Sequence, residues 1–129
     1  MTKAGALYSF FAGFDIPAYE ENSVYAMAEQ GYTPPYPYIT YEVRTDFFGE
    51  SDTSITFSLW YRSMSWADIN AKSVEISAAI GRVGKVLDCD GGKLLIMRSQ
   101  PWAQNMGDGS DDMVKRIVHN LRLRFYTND

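Results

Sequence analysis

The residue types that most often transfer protons, attack carbonyl groups or bind metals are scarce in this sequence. It contains one histidine, His119, and one cysteine, Cys89. A single histidine excludes a two-histidine metal site within one chain and a histidine pair that shuttles protons. His119 falls on the apolar side of an alternating segment, which favours a packed, hydrogen-bonded or interface histidine over a catalytic one. Cys89 has no basic run beside it in the sequence, which favours a packing role over a nucleophile.

Five aspartates occur in or beside turns, where carboxylates could bind a cation. Asp88 and Asp90 are two residues apart next to a tight turn, and the segment GDGSDD (residues 107–112) holds the other three. This segment lacks the spacing and the closing glutamate of an EF-hand loop, so we interpret all five as solvated turn carboxylates, with weak cation binding as the alternative. No phosphate-binding glycine motif or nucleophile elbow occurs either. We therefore expect a protein that is not an enzyme, with no cofactor, no metal and no small-molecule substrate.

The composition predicts one domain over residues 1–129. Hydrophobic residues make up 46% of the chain and aromatic residues 15%, which is typical of a folded core rather than of disorder. The formal net charge is −4 and the pI about 4.9, so bulk charge does not attract nucleic acid. The single cysteine excludes an intrachain disulfide, which suits a reducing compartment. No apolar run reaches the length of a membrane span, and we expect no membrane association.

The elements that would position these residues are organised around one strand and one helix. Over residues 53–61, Ile55, Phe57 and Leu59 alternate with polar residues, which predicts a strand with one face in the core. The apolar period then changes to three or four residues, which predicts a helix that begins at a capping-box-like pair of Ser65 and Asp68 and ends at Gly81.

The remaining segments predict an α+β fold. We expect a first helix over residues 2–12, a strand over 38–45, a hairpin loop over 46–52, two strands around Gly91-Gly92, a loop over 100–112 and a last strand over 113–127. A short edge strand near Ile16 and an irregular segment over 22–37 complete the chain. The predicted order is αββαβββ: a mainly antiparallel sheet with two helices packed on one face.

Two features suggest contacts with other protein subunits. The last strand concentrates basic residues in an otherwise acidic chain, and Arg122 and Arg124 share one of its faces. A solvated sheet face with cross-strand partners such as Glu42 explains this as well as a subunit contact does. Tryptophan, tyrosine and methionine also occur outside the core pattern, and interface cores favour these residues. The predicted contact positions are Trp60, Trp102, Asp108, Arg122 and Arg124.

Tail terminator and tail-completion proteins of long-tailed bacteriophages and prophages, often labelled minor tail or minor capsid proteins, resemble this chain in three segments. These are the strand and helix ITFSLWYRSMSWADINAKSVEISAAIG, the hairpin and loop KVLDCDGGKLLIMRSQPWAQNMGDGSDD, and the closing strand KRIVHNLRLRFYT. The resemblance covers residues 38 onwards and the N-terminal helix. It rests on a pattern of elements around SLWYRS and Gln100-Pro101-Trp102, with no catalytic signature.

The resemblance implies a mechanical role in the virion. Proteins of this family form hexameric rings that cap the tail tube, stop its growth and join it to the head, and DNA crosses the channel of the ring. The expected partners are therefore copies of the same chain, the tail tube and the head-completion proteins. The expected location is the cytoplasm of the bacterial host during assembly, and then the tail of the virion.

Two other classes of function remain open. An α+β sheet with exposed tyrosines could serve as a nucleic-acid-binding module in which the rings stack on bases, although the low pI argues against it. An enzyme that acts on small molecules is the third possibility, and the scarcity of histidine and cysteine disfavours it.

Overall fold

The computed structural model describes residues 1–44 and 52–127. Its helices are α1 (Lys3–Phe11), α2 (Glu21–Glu29) and α3 (Ala67–Ile80), with a 3-10 turn over Ala12–Phe14. Its strands are β1 (Ala18–Glu20), β2 (Tyr38–Tyr41), β3 (Thr53–Arg62), β4 (Lys85–Cys89), β5 (Gly92–Asp108) and β6 (Asp111–Thr127).

The six strands form one sheet in the order β1-β2-β3-β6-β5-β4. β1 runs parallel to β2, and the other neighbouring pairs are antiparallel. The α+β class and the mainly antiparallel sheet are therefore confirmed. The predicted order of elements was wrong, because a helix, α2, follows the edge strand β1.

The central strand and helix follow the pattern that the sequence predicts. Ile55, Phe57 and Leu59 of β3 are each at most 2% exposed and face α3. α3 buries Ile69, Ser73, Ile76 and Ile80 against this side of the sheet. Each large apolar side chain that leaves water contributes about 1.5–3 kcal/mol, so this contact stabilises a helix that would be marginal alone.

The sequence predicted the C-terminal end of α3 correctly and its N-terminal cap incorrectly. Gly81 ends the helix with φ +78°, and its N–H donates to the Ser77 carbonyl at 2.9 Å, as a helix-terminating glycine should. The predicted capping box was wrong. The cap residue is Trp66, without a side-chain cap bond, while the Ser65 hydroxyl accepts a hydrogen bond from the Ala67 N–H at 3.0 Å.

Helix α1 lies where the two edges of the sheet approach each other. Thr2 caps it by accepting a hydrogen bond from the Gly5 N–H at 2.9 Å, and Leu7 and Phe11 are fully buried. The Phe11 ring stacks on Tyr41 at 4.9 Å between ring centres. Because α1 contacts both β1 and β4, the outermost strands, the sheet curls around this helix.

The segment predicted to be irregular contains a well-formed helix. The Glu20 carboxylate accepts a hydrogen bond from the Ser23 N–H at 3.3 Å and so caps α2, which contacts β1 and β2. None of its residues is buried. Its residues are on average less apolar than those of α1 and α3, and three prolines follow it, so the sequence predicted an irregular segment here.

Two further predicted boundaries differ from those in the structure. β2 ends at Tyr41 rather than at residue 45, and most of the predicted hairpin loop lies outside the described residues. The segment predicted as a loop over residues 100–112 is instead largely the second half of β5. Arg98 pairs with Leu121 and Ala103 pairs with His119, so five steps along β5 oppose two along β6. This bulge absorbs Pro101, which a regular central ladder would not accept.

Candidate interface on the outer face of the sheet

The sheet has two chemically different faces. The inner face packs on α1 and α3 and carries the apolar core. The opposite side, which we call the outer face, carries mixed polar, aromatic and apolar residues on β2, β3, β6 and β5. Its members in the described part of the chain include Tyr38 and Thr40 of β2, Ser54, Thr56, Ser58 and Trp60 of β3, Arg116, Val118, Asn120, Arg122 and Arg124 of β6, and Leu95, Met97, Gln104 and Met106 of β5.

Trp60 lies at the centre of one end of the outer face. Register places it between Tyr38 on β2 and Arg116 on β6. Its ring stacks on Tyr38 with 6.0 Å between centres and 13° between planes, and its indole N–H donates to the Thr40 hydroxyl at 2.9 Å. Burial of Tyr38 raises the pKa of its phenol to about 12, so that group stays neutral. Trp60 is thus held in one orientation and remains half-exposed.

Arg116 completes this arrangement from the next strand. Its guanidinium carbon lies 4.5 Å from the centre of the Trp60 ring, within the range of a cation–π contact. Its Nε donates to the Ser58 hydroxyl at 3.2 Å, which fixes the plane of the guanidinium. We call Tyr38, Trp60 and Arg116 the aromatic–arginine cluster.

A hollow lies on each side of this cluster. The first, of about 170 Å³, is walled by α2 and includes Tyr25, whose hydroxyl donates to Glu21 at 2.9 Å. The second, of about 270 Å³, lies between the cluster and the turn that joins β5 to β6, and includes Met106 and Asp108. Trp60 and Arg116 line both hollows, so they form the ridge between them. An ordered pair of side chains between two hollows is a shape that another surface can fit against.

The structure brings four of the five predicted contact residues together as two separate pairs. Trp60 and Asp108 line the same hollow. The Asp108 carboxylate accepts from both the N–H and the hydroxyl of Ser110 at 2.8 Å, and these bonds lower its pKa. Asp108 therefore stays ionised and shapes the turn.

Arg122 and Arg124 lie at the other end of the outer face and share one carboxylate. Arg124 Nε donates to Asp52 at 2.6 Å, and Arg122 Nη1 lies 3.4 Å from the other oxygen of the same group. The partner is Asp52 rather than Glu42, which instead accepts from the N–H and hydroxyl of Thr56 at 2.7 Å. Both arginine side chains remain 40–47% exposed. They have cross-strand partners and still present charge to solvent.

Trp102 lies on the inner face instead. Its ring makes edge contacts with Phe57 at 5.9 Å and with His119 at 5.0 Å. It follows Pro101 in the bulge. The Pro101 carbonyl accepts a hydrogen bond from the Asn120 side chain at 2.8 Å. The structure therefore places Trp102 against the core and away from the other four predicted contact residues.

His119 is fully buried among aromatic rings. It stacks on Phe57 with 4.2 Å between centres, and its Nε2 lies 2.7 Å from the Ser73 hydroxyl. Burial lowers the pKa of its imidazole to about 4, so it is neutral at pH 7. Its Nδ1 has no hydrogen-bond partner within residues 1–44 and 52–127. Within those residues, no carboxylate orients this serine–histidine pair, and the pair is closed to solvent. It therefore packs the core. The prediction of a packed, hydrogen-bonded histidine is confirmed.

Two of the aspartates near turns, Asp88 and Asp90, form ion pairs within the chain. Asp88 lies 2.5 Å from Lys93, which lowers the pKa of its carboxyl, and Asp90 lies 2.6 Å from the N-terminal amine. No group of three or more potential metal ligands occurs in the described ranges. Cys89 is half-buried, and burial raises the pKa of its thiol.

Sequence reasoning missed two members of the cluster. Arg116 lies an even number of residues before Arg122 and Arg124 in β6, so the alternation of side chains along the strand could have placed it on the same face. Tyr38 was assigned to a strand but not to its partner. The pairing of Tyr38 with Trp60 depends on the register between β2 and β3, which the sequence does not determine when the connection is long.

Comparisons with protein-family models, with curated proteins and with solved structures found no match. In the described part of the chain, no helix is long and apolar enough to cross a membrane.

Proposed function

We propose that the protein is a structural component of a long-tailed phage or prophage particle. It acts as a tail terminator, or head–tail joining protein, that assembles as a ring at the end of the tail tube. In this proposal, the chain is made in the cytoplasm of a bacterial host and becomes part of the virion tail. The sequence resemblance gives the identity of the role, and the outer face of the sheet supports the assembly.

The aromatic–arginine cluster is the observation that carries the proposal. Interface cores are enriched in tryptophan, tyrosine, methionine and arginine, and binding energy concentrates on a few ordered residues of these types. Trp60 and Arg116 are such residues; Tyr38, which is 4% exposed, orients the Trp60 ring, and Met106, which is 41% exposed, lies beside them. Their contacts within the chain fix their positions before any partner arrives, so less side-chain entropy is lost on binding.

A ring also requires charge that suits its neighbours and its channel. A closed ring needs heterologous contacts, in which one patch of each subunit meets a different patch of the next. The exposed arginines of β6 and the acidic turn between β5 and β6 are two such patches of opposite charge. The net charge of −4 favours a channel through which DNA slides, because the contacts that retain DNA are cationic.

The direct test is the assembly state of the purified protein. We expect light scattering coupled to gel filtration to give a mass near six times 14.6 kDa, and negative-stain images to show rings. The Arg116→Ala variant should shift the protein towards the monomer. Tyr8→Ala is the control, because Tyr8 is 51% exposed and belongs to α1, away from the outer face. A monomer at every concentration, with no rings, would contradict the proposal.

The alternative is a nucleic-acid-binding module. The Tyr38 and Trp60 rings form a stack on the outer face of the sheet, and a sheet face is where such modules bind bases. Trp60, however, lies between Tyr38 and Arg116, so its two ring faces are already covered. Filter binding with single-stranded RNA at low salt distinguishes the two functions. Retention that Trp60→Ala removes would favour the module, and no retention would favour the ring.

A further inference from the structure

A further hollow lies on the outer face, beside the arginines at its far end. Its volume is about 270 Å³, and Ser54, Asn120 and Pro101 are among the residues that line it. Ser54 lies opposite Arg122 in the ladder between β3 and β6, so the hollow and this arginine are neighbours. We call it the polar hollow. Small-molecule sites measure about 300–1,000 Å³, so a hollow of this size suits a few side chains of a protein partner better than a small molecule.

The charge around the polar hollow is positive in sum. Glu42 and Arg44, which both line it, lie 3.8 Å apart and offset each other. Arg122 and Arg124 share the one carboxylate of Asp52, which leaves one positive charge in excess. Both arginine side chains are partly exposed, so this excess charge is accessible. An acidic group of another molecule would therefore be attracted to this end of the outer face.

The turn between β5 and β6 carries the opposite charge. Asp111 lies 3.5 Å from Arg62, whereas Asp108 and Asp112 form no ion pair with the described residues. Residues 107–112, which we call the acidic turn, therefore have two negative charges in excess. All of them except Asp111 are exposed. The acidic turn is thus both charged and accessible.

The acidic turn cannot reach the arginines of its own chain. Asp112 and Arg122 are ten residues apart on β6. A strand rises about 3.3 Å per residue, so roughly 30 Å separates the two. The opposite charges lie at the two ends of one face, and they can meet only between two molecules.

We propose that the acidic turn of one copy docks in the polar hollow of the next copy, head to tail. Asp108 and Asp112 then face Arg122 and Arg124 of the next copy. The inference rests on the proposed function, because it names a contact of that assembly. The turn and the hollow are different surfaces, and each copy has one of each, so the contact is heterologous, as a closed ring requires.

The position of the acidic turn favours it as the occupant of the polar hollow. Asp108 and Trp60 line the same hollow, so a contact through the turn continues into the aromatic–arginine cluster. Helix α2 is also acidic and has no basic residue. Its carboxylates, however, are used within the helix, because Glu20 caps it and Glu21 accepts a hydrogen bond from the Tyr25 hydroxyl.

The first experiment reverses one charge on each side of the contact. Arg122→Glu and Asp112→Arg should each weaken self-association about tenfold, because an attractive pair at the surface becomes a repulsive one. An equal mixture of the two variants should associate as tightly as the wild type, since every contact of an alternating ring then joins opposite charges. Arg122→Gln and Asp112→Asn, which only remove the charges, should weaken association by a smaller factor.

Two other exposed residues supply matched controls. Arg82→Glu makes the same charge change as Arg122→Glu, just after α3, and Glu29→Arg makes the same change as Asp112→Arg, at the end of α2. Both controls should associate like the wild type, which shows that net charge is not the cause. Thermal unfolding of every variant shows whether it is folded. A loss of association in Glu29→Arg, with none in Asp112→Arg, would make α2 the occupant and overturn the inference.

The second experiment locates the acidic turn by disulfide cross-linking in a Cys89→Ser background. Gly109→Cys adds a thiol on the turn, where a side chain would meet no atom within 4 Å, and Ser54→Cys adds one at the polar hollow. Copper phenanthroline with oxygen is the oxidant, and oxygen takes up the two electrons and two protons that the two thiols lose. The mixed variants should form a covalent dimer, and neither variant alone should do so.

A chain that carries both cysteines distinguishes a ring from a closed pair. In a head-to-tail ring, the cross-links join successive copies up to a covalent hexamer. In a two-fold pair, both cross-links join the same two chains, and the product stops at the dimer. That result, or cross-linking of Gly109→Cys with itself, would overturn the inference.

The outcomes separate this contact from the proposed function. If the wild-type chain forms rings while Arg122→Glu and Asp112→Arg assemble equally well, or if the mixed cysteine variants give no cross-link, the acidic turn does not dock in the polar hollow, and the ring proposal stands. If the wild-type chain is a monomer at every concentration, both proposals fall.

Discussion

The two faces of the sheet use aromatic residues in different ways. On the inner face, the His119 ring stacks on Phe57, and the Ser73 hydroxyl is hydrogen-bonded to its Nε2 atom. The imidazole is therefore surrounded by its own chain on several sides. On the outer face, Trp60 is equally well oriented by Tyr38 and by its bond to Thr40, yet hollows lie on both sides of it. The inner face is completed by its own helices. The outer face is ordered but incomplete, which is the state expected of a surface that awaits a partner.

The largest effect should come from the inner face. Phe57→Ala removes a side chain that is 1% exposed and contacts Phe11, Trp102 and His119. The expected loss is about 3–5 kcal/mol in the free energy of unfolding, because a cavity remains in a packed core. Chemical denaturation measures it. Val74→Ala, at 68% exposure on α3, is the control and should change little; equal losses in both would show that β3 does not face the core as described.

The next effect is a pH dependence that belongs to the inner face alone. The folded-state pKa of His119 is about 4, below its ordinary value of 6.5, so the unfolded chain takes up the proton first as the pH falls. Stability should therefore be full above pH 6.5 and decrease from there towards pH 4, by about 2–3 kcal/mol in total. Denaturation at pH 7, 6 and 5 measures the slope, mostly above the range in which carboxylates titrate.

The control for this prediction is His119→Leu. It replaces the only histidine with an apolar side chain of similar burial, so the slope between pH 6.5 and 5 should disappear even if overall stability changes. A variant that keeps the slope would assign it to other groups and would leave His119 without the proposed protonation cost.

The outer face should show the reverse pattern, with a large change in association and a small one in folding. Arg116→Ala removes the cation over the Trp60 ring and one wall of both hollows. If the cluster is the centre of an interface, self-association should weaken about thirtyfold, which corresponds to about 2 kcal/mol. Sedimentation equilibrium measures this. A variant that loses stability as strongly as Phe57→Ala would show that Arg116 supports the fold rather than a contact.

The smallest effect is expected at the other end of the outer face. Arg124→Glu places a second negative charge beside Asp52 and removes an exposed cation. Assembly should be impaired, while the midpoint of thermal unfolding stays nearly unchanged, because exposed ion pairs contribute little to stability. Adding Asp52→Arg in the same chain restores an ion pair of opposite polarity. A large shift of the midpoint, recovered by the double change, would assign the arginine to the fold.

The sequence predicted the centre of the fold and not its periphery. β3 and α3 have strong periods, since their buried residues recur every second position and then every third or fourth, and burial of these residues dominates the stability. α2 buries no residue and is on average the least apolar of the three helices, so its sequence does not predict a contact with the core. The second half of β5 contains proline, glycine and asparagine, which are typical of loops, and it becomes a strand only because β6 supplies a complete ladder beside it.

The candidate site was predicted in part for the same reason. Alternation along β3 placed Trp60 on the polar face of that strand, and alternation along β6 placed the two arginines on one face, but the neighbours of Trp60 come from other strands. Tyr38 and Arg116 depend on register, and the proximity of Asp108 depends on how far β5 extends. Trp102 was expected to contact partners because it lies in a loop-like segment; the bulge turns its ring towards Phe57 instead.

Because of the bulge in β5, the number of residues between the two halves of that strand can vary without changing how either half pairs with β6. Each half is registered separately on β6, with Arg98 opposite Leu121 and Ala103 opposite His119. An insertion or deletion between them would be taken up by the excess residues there and would shift neither ladder. The polar hollow next to Pro101 is lined by Glu42 and Asn120, among others, and evolution could thus reshape it without disturbing the core.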